Sequence, residues 1–189
     1  MSRRPSSSAL DTAAVRAEPR DDAEQVTQVL GGELVFVEER RDGWVRIRTA
    51  YEYPGWMREE ALGSDPLSTW LPAEMDTEPV EEARSYLGSP YEWGGMTERG
   101  IDCSGLVHMA YRRTGRLVPR DADQQEAAGR EVTEAELGPG DLVCYEGHIA
   151  FWLGDGRILH STQREGVAGV VEELEPPELR ERFRRFVRL

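Results

Sequence analysis

The chain has little of what staples or metallates a small protein: its 189 residues hold two cysteines, Cys103 and Cys144, and three histidines, His108, His148 and His160. The cysteines form no Cys-x-x-Cys pair and the histidines are scattered, so no disulfide framework and no zinc signature is present, and no cofactor is expected. An excess of positive charge is also lacking. The formal net charge of −13 is the wrong sign for nucleic acid, whose phosphates call for a basic surface. The one basic run, Arg180-Glu-Arg-Phe-Arg-Arg-Phe-Val-Arg-Leu, alternates apolar and charged residues as a half-buried terminal element does. Long apolar runs are missing as well. Met1-Ser-Arg-Arg-Pro-Ser-Ser-Ser is basic but leads into no apolar stretch of the roughly seven residues a signal peptide needs, and nowhere is there one of about twenty for a membrane span. The expectation is a cytoplasmic protein without a membrane partner.

What is there centres on Tyr91-Glu-Trp-Gly-Gly-Met-Thr-Glu-Arg-Gly-Ile-Asp-Cys-Ser-Gly105. Helical spacing begins only after Cys103, with Leu106, Val107, Ala110 and Tyr111 on one face, which puts Cys103 at a helix N-terminus. There the unpaired N–H groups and the helix dipole favour an anion, so a thiol pKa lowered toward the thiolate is expected. A cysteine nucleophile needs a base. His108, five residues further along the same helix, points about 140° away and is a poor one. Cys144, in the apolar run Asp141-Leu-Val-Cys-Tyr, reads as a packed strand residue.

His148 opens His-Ile-Ala-Phe-Trp-Leu and His160 ends Arg-Ile-Leu-His, with Gly154-Asp-Gly156 between them, a hairpin signature. A three-residue loop would set Ala150 opposite His160 and put both histidines on one face, whereas a two-residue Asp-Gly turn would separate them. The three-residue loop is expected, with His148 as base and His160 as its orienter.

Residues 1–9 are short, polar and rich in Ser, and are expected to be a disordered tail. Residues 10–62 alternate apolar and polar between evenly spaced Gly- and Pro-containing turns, the pattern of a small antiparallel barrel. Residues 63–76 read as a linker, docked by Trp70 and Leu71. Residues 77–189 place helices first, one of them capped by Thr77, and strands after, an α+β domain.

Several motifs together resemble a family. Pro90-Tyr-Glu-Trp-Gly-Gly, Asp102-Cys-Ser-Gly-Leu-Val, Leu117-Val-Pro-Arg-Asp, Gly138-Pro-Gly-Asp-Leu-Val and His148-Ile-Ala-Phe-Trp-Leu-Gly-Asp-Gly-Arg-Ile-Leu-His160 are similar to the NlpC-type papain-like cysteine peptidases of bacterial cell-wall metabolism. Asp42-Gly-Trp-Val-Arg-Ile to Pro54-Gly-Trp-Met resembles the bacterial SH3-like domains that accompany them. The resemblance implies Cys103 as nucleophile, His148 as base, His160 as third member, and Tyr91, Asp102 and Ser104 lining the substrate cleft or oxyanion region. A helix N-cap is the competing role for Asp102. Ala122 departs from the family, which often carries a serine there. The implied substrate is the γ-D-glutamyl to L-diamino-acid bond of short peptidoglycan stem peptides with a free N-terminal L-Ala. Glu52 is then expected to meet the substrate ammonium, and Tyr53 to close the pocket. The alternatives are a silent wall-binding module or an endopeptidase acting on intact peptidoglycan.

Overall fold

The computed structural model describes residues 4–189, which divide into two compact units, residues 4–72 and 73–189. The division falls inside the expected 63–76 linker, and each part of that linker is tied down: Leu67 N donates to Gly32 O at 2.9 Å in the first unit, and Met75 N to Thr114 O at 3.0 Å in the second.

The first unit is all β. Strands β1 (Arg4–Ser8), β2 (Thr12–Arg16), β3 (Gln25–Leu30), β4 (Val35–Arg41), β5 (Trp44–Thr49), β6 (Pro54–Arg58) and β7 (Leu62–Gly63) follow the order β3-β2-β6-β5-β4-β1-β7. A bridge between Ser8 and Gly31 brings the end of β1 back beside the end of β3, so the sheet curls toward closure around Val15, Val29, Val35, Val45, Ile47 and Met57. The expected barrel is therefore present, with one correction. Residues 4–8 are not a disordered tail: Arg4, Pro5 and Ser6 pair with Val37, Phe36 and Val35, and Ser7 and Ser8 with Gly63 and Leu62. Their buried serine hydroxyls find carbonyls, Ser6 Oγ donating to Gly63 O at 2.5 Å and Ser8 Oγ to Leu10 O at 3.0 Å. Polar side chains and a backbone that needs partners are both satisfied by a sheet edge. Residues 1–3 lie outside the described residues.

The second unit is α+β. Helix α1 (Pro79–Arg84) is followed by the short pair β8 (Met96–Thr97) and β9 (Gly100–Ile101), helix α2 (Cys103–Arg113) and α3 (Ala122–Ala128). Then come β10 (Arg130–Val132), β11 (Leu142–Tyr145), β12 (His148–Gly154), β13 (Arg157–Arg164), β14 (Val167–Leu174), α4 (Pro177–Arg180) and β15 (Phe183–Arg188). The sheet runs β10-β15-β11-β12-β13-β14, antiparallel throughout. α2 lies against β12 and β13, with Leu106, Val107 and Ala110 each at most 1% exposed and Tyr111 stacked on Phe151 at 6.4 Å. The first helix starts one residue later than expected. Pro79 stands at N1, where its missing N–H costs nothing, and Glu78 occupies the cap position without a side-chain bond, so Thr77 is not the cap.

The histidine hairpin keeps the expected register by a different route. The turn is the two-residue Asp155-Gly156, both at positive φ (50° and 72°), as tight hairpins require. By itself that turn would separate the histidines. A bulge at Leu153, between the pairs Trp152↔Ile158 and Gly154↔Arg157, inserts one residue and restores the phase.

Candidate active site

Cys103 is the first residue of α2, and Asp102 is its cap: the carboxylate accepts Gly105 N–H at 2.6 Å. The same carboxylate accepts Gly94 N–H at 2.8 Å, and Arg120 Nη1 and Nη2 at 2.9 and 2.8 Å. Ser104 Oγ accepts from Arg120 Nη1 at 2.9 Å, and Gly95 O from Nη2 at 3.2 Å. Arg120 is 1% exposed. This buried knot binds the glycine loop to the helix start, which accounts for the glycines: a Cβ on Gly105 would stand 2.4 Å from Gly95 O. Asp102 thus takes the capping role, and the side chains of Asp102 and Ser104 are engaged with Arg120. Arg120 belongs to the Leu117-Val-Pro-Arg-Asp motif, but the spacing of a charge along the chain does not name its partner.

Cys103 is 8% exposed, and the backbone N–H groups of Ile149, the residue after His148, and of Ser104 favour its thiolate. Burial, then the Asp102 charge, pushes the thiol from near 9 up to about 12. The expected low pKa is therefore not met in the free protein. A helix end contributes about 0.3–1 kcal/mol, less than one pKa unit at about 1.4 kcal/mol each, and a buried sulfur loses more than that with its water. Burial, and secondarily His160 and Arg182, hold His148 down at about 3. Thiol and imidazole rest neutral together.

His148 Nε2 lies 2.8 Å from His160 Nδ1, with the rings at 80°. His160, fully buried, continues the line: its Nε2 is 2.8 Å from Glu173 Oε1, and Glu173 is clamped by Arg164. Burial opposes ionisation of Glu173, but Arg164 and His160 outweigh it and keep the carboxyl below its usual range. An ionised Glu173 requires hydrogen on His160 Nε2. His160 Nδ1 then accepts from His148 Nε2–H, and the lone pair of His148 Nδ1 is left for the thiol proton. Glu173 and Arg164 escaped the sequence reading. The Glu165-Gly166 turn held the signal: it sets His160↔Val171, which makes Glu173 the diagonal neighbour of His160 on one face.

Tyr91 joins the halves. Burial, then Cys103 and Asp102, push its phenol up to about 12, so it is a hydrogen donor at neutral pH, and it lines one cavity with His148. His108 is apart from all this, fully buried with Nδ1 2.8 Å from Val118 O. Cys144 is a buried, free strand residue, and Cys103 is also unbridged. Among the described residues no cluster of His, Cys, Asp and Glu could hold a metal ion, and no helix is long and apolar enough to cross a membrane. Glu52 and Tyr53 belong to the first unit, in the turn joining β5 to β6. There Tyr53 N donates to Thr49 Oγ1 and Arg48 Nη1 to Glu52 O, both at 3.0 Å.

The NlpC/P60 family pattern matches residues 88–188, over half the chain and spanning this whole constellation. The chain belongs to the NlpC/P60 family. Ahead of the NlpC/P60 domain, residues 15–62 match the bacterial dipeptidyl-peptidase Sh3 domain. Dipeptidyl-peptidase 6 of Lysinibacillus sphaericus is 30% identical over 156 residues, which cover 79% of this chain and 58% of that protein. The gamma-D-glutamyl-L-lysine dipeptidyl-peptidase of Bacillus cereus is 33% identical over 103 residues, 50% of this chain and 31% of that one. The chain thus spans less than two thirds of either relative. A crystal structure of an NlpC/P60 family protein from Bacillus cereus shares the fold, with a TM-score of 0.57 and 23% identity over 98% of this chain and 63% of that one.

Proposed function

We propose that the protein is a cysteine peptidase that cleaves the γ-D-glutamyl to L-diamino-acid bond of short peptidoglycan stem peptides bearing a free N-terminal L-Ala. The observation that carries the chemistry is the 2.8 Å contact from His148 Nε2 to His160 Nδ1, with His148 on β12, the strand against which the helix that begins at Cys103 packs. The names of the dipeptidyl-peptidase relatives support the substrate class.

The chemistry is acyl transfer to water. Because thiol and imidazole rest neutral, Sγ–H gives its proton to His148 Nδ1 as sulfur attacks the carbonyl carbon. The oxyanion accepts from Cys103 N–H and the Tyr91 hydroxyl. Collapse breaks the C–N bond, and the His148 imidazolium protonates the departing nitrogen. Water then gives a proton to His148 while attacking the thioester, and the thiolate leaves and takes that proton back. His160 holds the imidazole in place through both halves.

The turn holding Glu52 and Tyr53 is assigned the substrate's ammonium, by charge complementarity and by its place in a domain described for dipeptidyl-peptidases. Freed stem peptides are recycled in the cytosol, so this reading also places the protein there, which cell fractionation checks.

The decisive assay is incubation with L-Ala-γ-D-Glu-diaminopimelate and with the corresponding lysine peptide. Release of L-Ala-D-Glu, lost in Cys103→Ala, is expected. No release from either peptide would favour a binding module, and equal rates on intact sacculi would favour an endopeptidase.

A further inference from the structure

The His148–His160–Glu173 line leaves one feature beside it unused. A cavity of about 230 Å³ is walled by residues that include Tyr91, His148, Gln163, Arg164, Glu178 and Arg182. Its position relative to the reaction follows from the proton transfers. The His148 imidazolium must reach the departing nitrogen, so the residue being released lies on the His148 side of the sulfur, and His148 is part of this cavity's wall.

The cavity is lined by cations with donors to offer. Arg182 makes one bond, from Nη2 to the Glu146 carbonyl, and no ion pair among the described residues. A carbonyl solvates a guanidinium without neutralising it, so the charge and the rest of the fork remain. Arg164 is clamped to Glu173, yet its Nε is buried with no partner among the described residues. Glu178, 3.9 Å from Arg164, is the one carboxylate on the wall. Arg164 is thus balanced by carboxylates, whereas Arg182 is the guanidinium of the wall with no carboxylate partner among the described residues, which suits an anionic, planar group.

We propose that this cavity is a carboxylate subsite for the released residue, with Arg182 as its main donor, so that the preferred substrates end in a free α-carboxylate immediately after the scissile bond. The proposal rests on the peptidase reading above. In such a residue the carboxylate and the departing nitrogen share one carbon, so the cation that binds it must stand close to His148. Arg182 does: the two residues line the same cavity, and its charge is among those that depress His148. A stem continuing past that residue presents a neutral amide instead, so this subsite favours short free peptides over stems still in the wall.

The test compares L-Ala-γ-D-Glu-L-Lys as the free acid and as its C-terminal amide, a pair differing only in the α-carboxylate. The expected wild-type preference in kcat/KM is roughly tenfold for the acid, the scale of one charge-assisted contact. Arg182→Gln, which keeps an N–H donor but not the charge, should bring the ratio toward unity, and Arg182→Lys should keep most of it. Arg182 is exposed, and an unchanged thermal midpoint controls for folding. Equal wild-type rates on acid and amide, or an Arg182→Gln loss proportionate on both, would overturn the subsite alone. Failure of the wild type to cleave either peptide would instead overturn the peptidase reading and the subsite with it.

Discussion

In the proposed mechanism Cys103 and Glu173 stand at opposite ends of one line of proton carriers, and their substitutions should fail differently. Cys103→Ala removes the atom that forms the acyl bond, so turnover of the tripeptide should fall by about a thousandfold or more, while the buried strand cysteine in Cys144→Ala costs only packing, about 1 kcal/mol in chemical denaturation, with kcat unchanged. Glu173→Gln keeps an acceptor for His160 but removes the charge that selects its tautomer. A loss in kcat of roughly 10- to 100-fold is expected, with KM little changed. Burial lowers the pKa of His160 and the Glu173 carboxylate partly offsets that, so its removal should move the acid limb of the kcat profile to lower pH, and nitrogen chemical shifts should show His160 sharing its hydrogen between two positions. A kcat loss with an unmoved acid limb and an unmixed tautomer would mean that Glu173 only packs.

The entrance of α2 depends on a charge pair sealed from water. Asp102 and Arg120 are 5% and 1% exposed, and removing one partner leaves the other as an uncompensated buried charge, at a cost of about 3–5 kcal/mol. Arg120→Met should therefore lower the thermal midpoint sharply and activity with it, while the double variant Arg120→Met with Asp102→Ser, which retains a capping hydroxyl, should recover stability but not full turnover. Recovery of neither would indicate that the packing of the arginine stem, not its charge, holds the loop. Gly105→Ala tests the same junction sterically. Its Cβ would meet the Gly95 carbonyl at 2.4 Å, and backbone cannot rotate away, so loss of the Gly94–Asp102 bond, read as faster amide exchange at Gly94, is expected.

For the molecule as a whole, the buried histidines predict an acid limit. His108 is fully buried and held at about 3, chiefly by burial and then by Arg120 and Arg112, against about 6.5 in an unfolded chain. The unfolded chain binds the proton first, so the contribution is complete above about pH 6.5 and is lost as pH falls toward 3. At pH 5 the loss is about 2 kcal/mol, at about 1.4 kcal/mol per unit. His108→Gln, which can still donate to Val118 O, should flatten the fall in denaturation midpoint between pH 7 and 5. Parallel curves for the two proteins would show that His108 does not titrate on unfolding.

Local rules were enough for much of this protein. Alternation and turn residues disclosed the strands of residues 10–62, and apolar spacing disclosed where α2 begins and hence where Cys103 sits. Parity along β12 and β13 nearly placed the two histidines, though a tight turn and a bulge at Leu153 share the work given to one longer loop. Those features are periodic, and periodicity is written in neighbours along the chain. What the tertiary structure decided alone are matters of approach between distant segments: Ser6–Ser8 pairing into a sheet, Arg120 meeting Asp102 from 18 residues away, Glu173 reaching His160 from the next strand, and a thiol whose pKa rises because burial outweighs the helix dipole. The sequence names the groups, but desolvation and pairing depend on what packs around each one, and only the folded chain sets that.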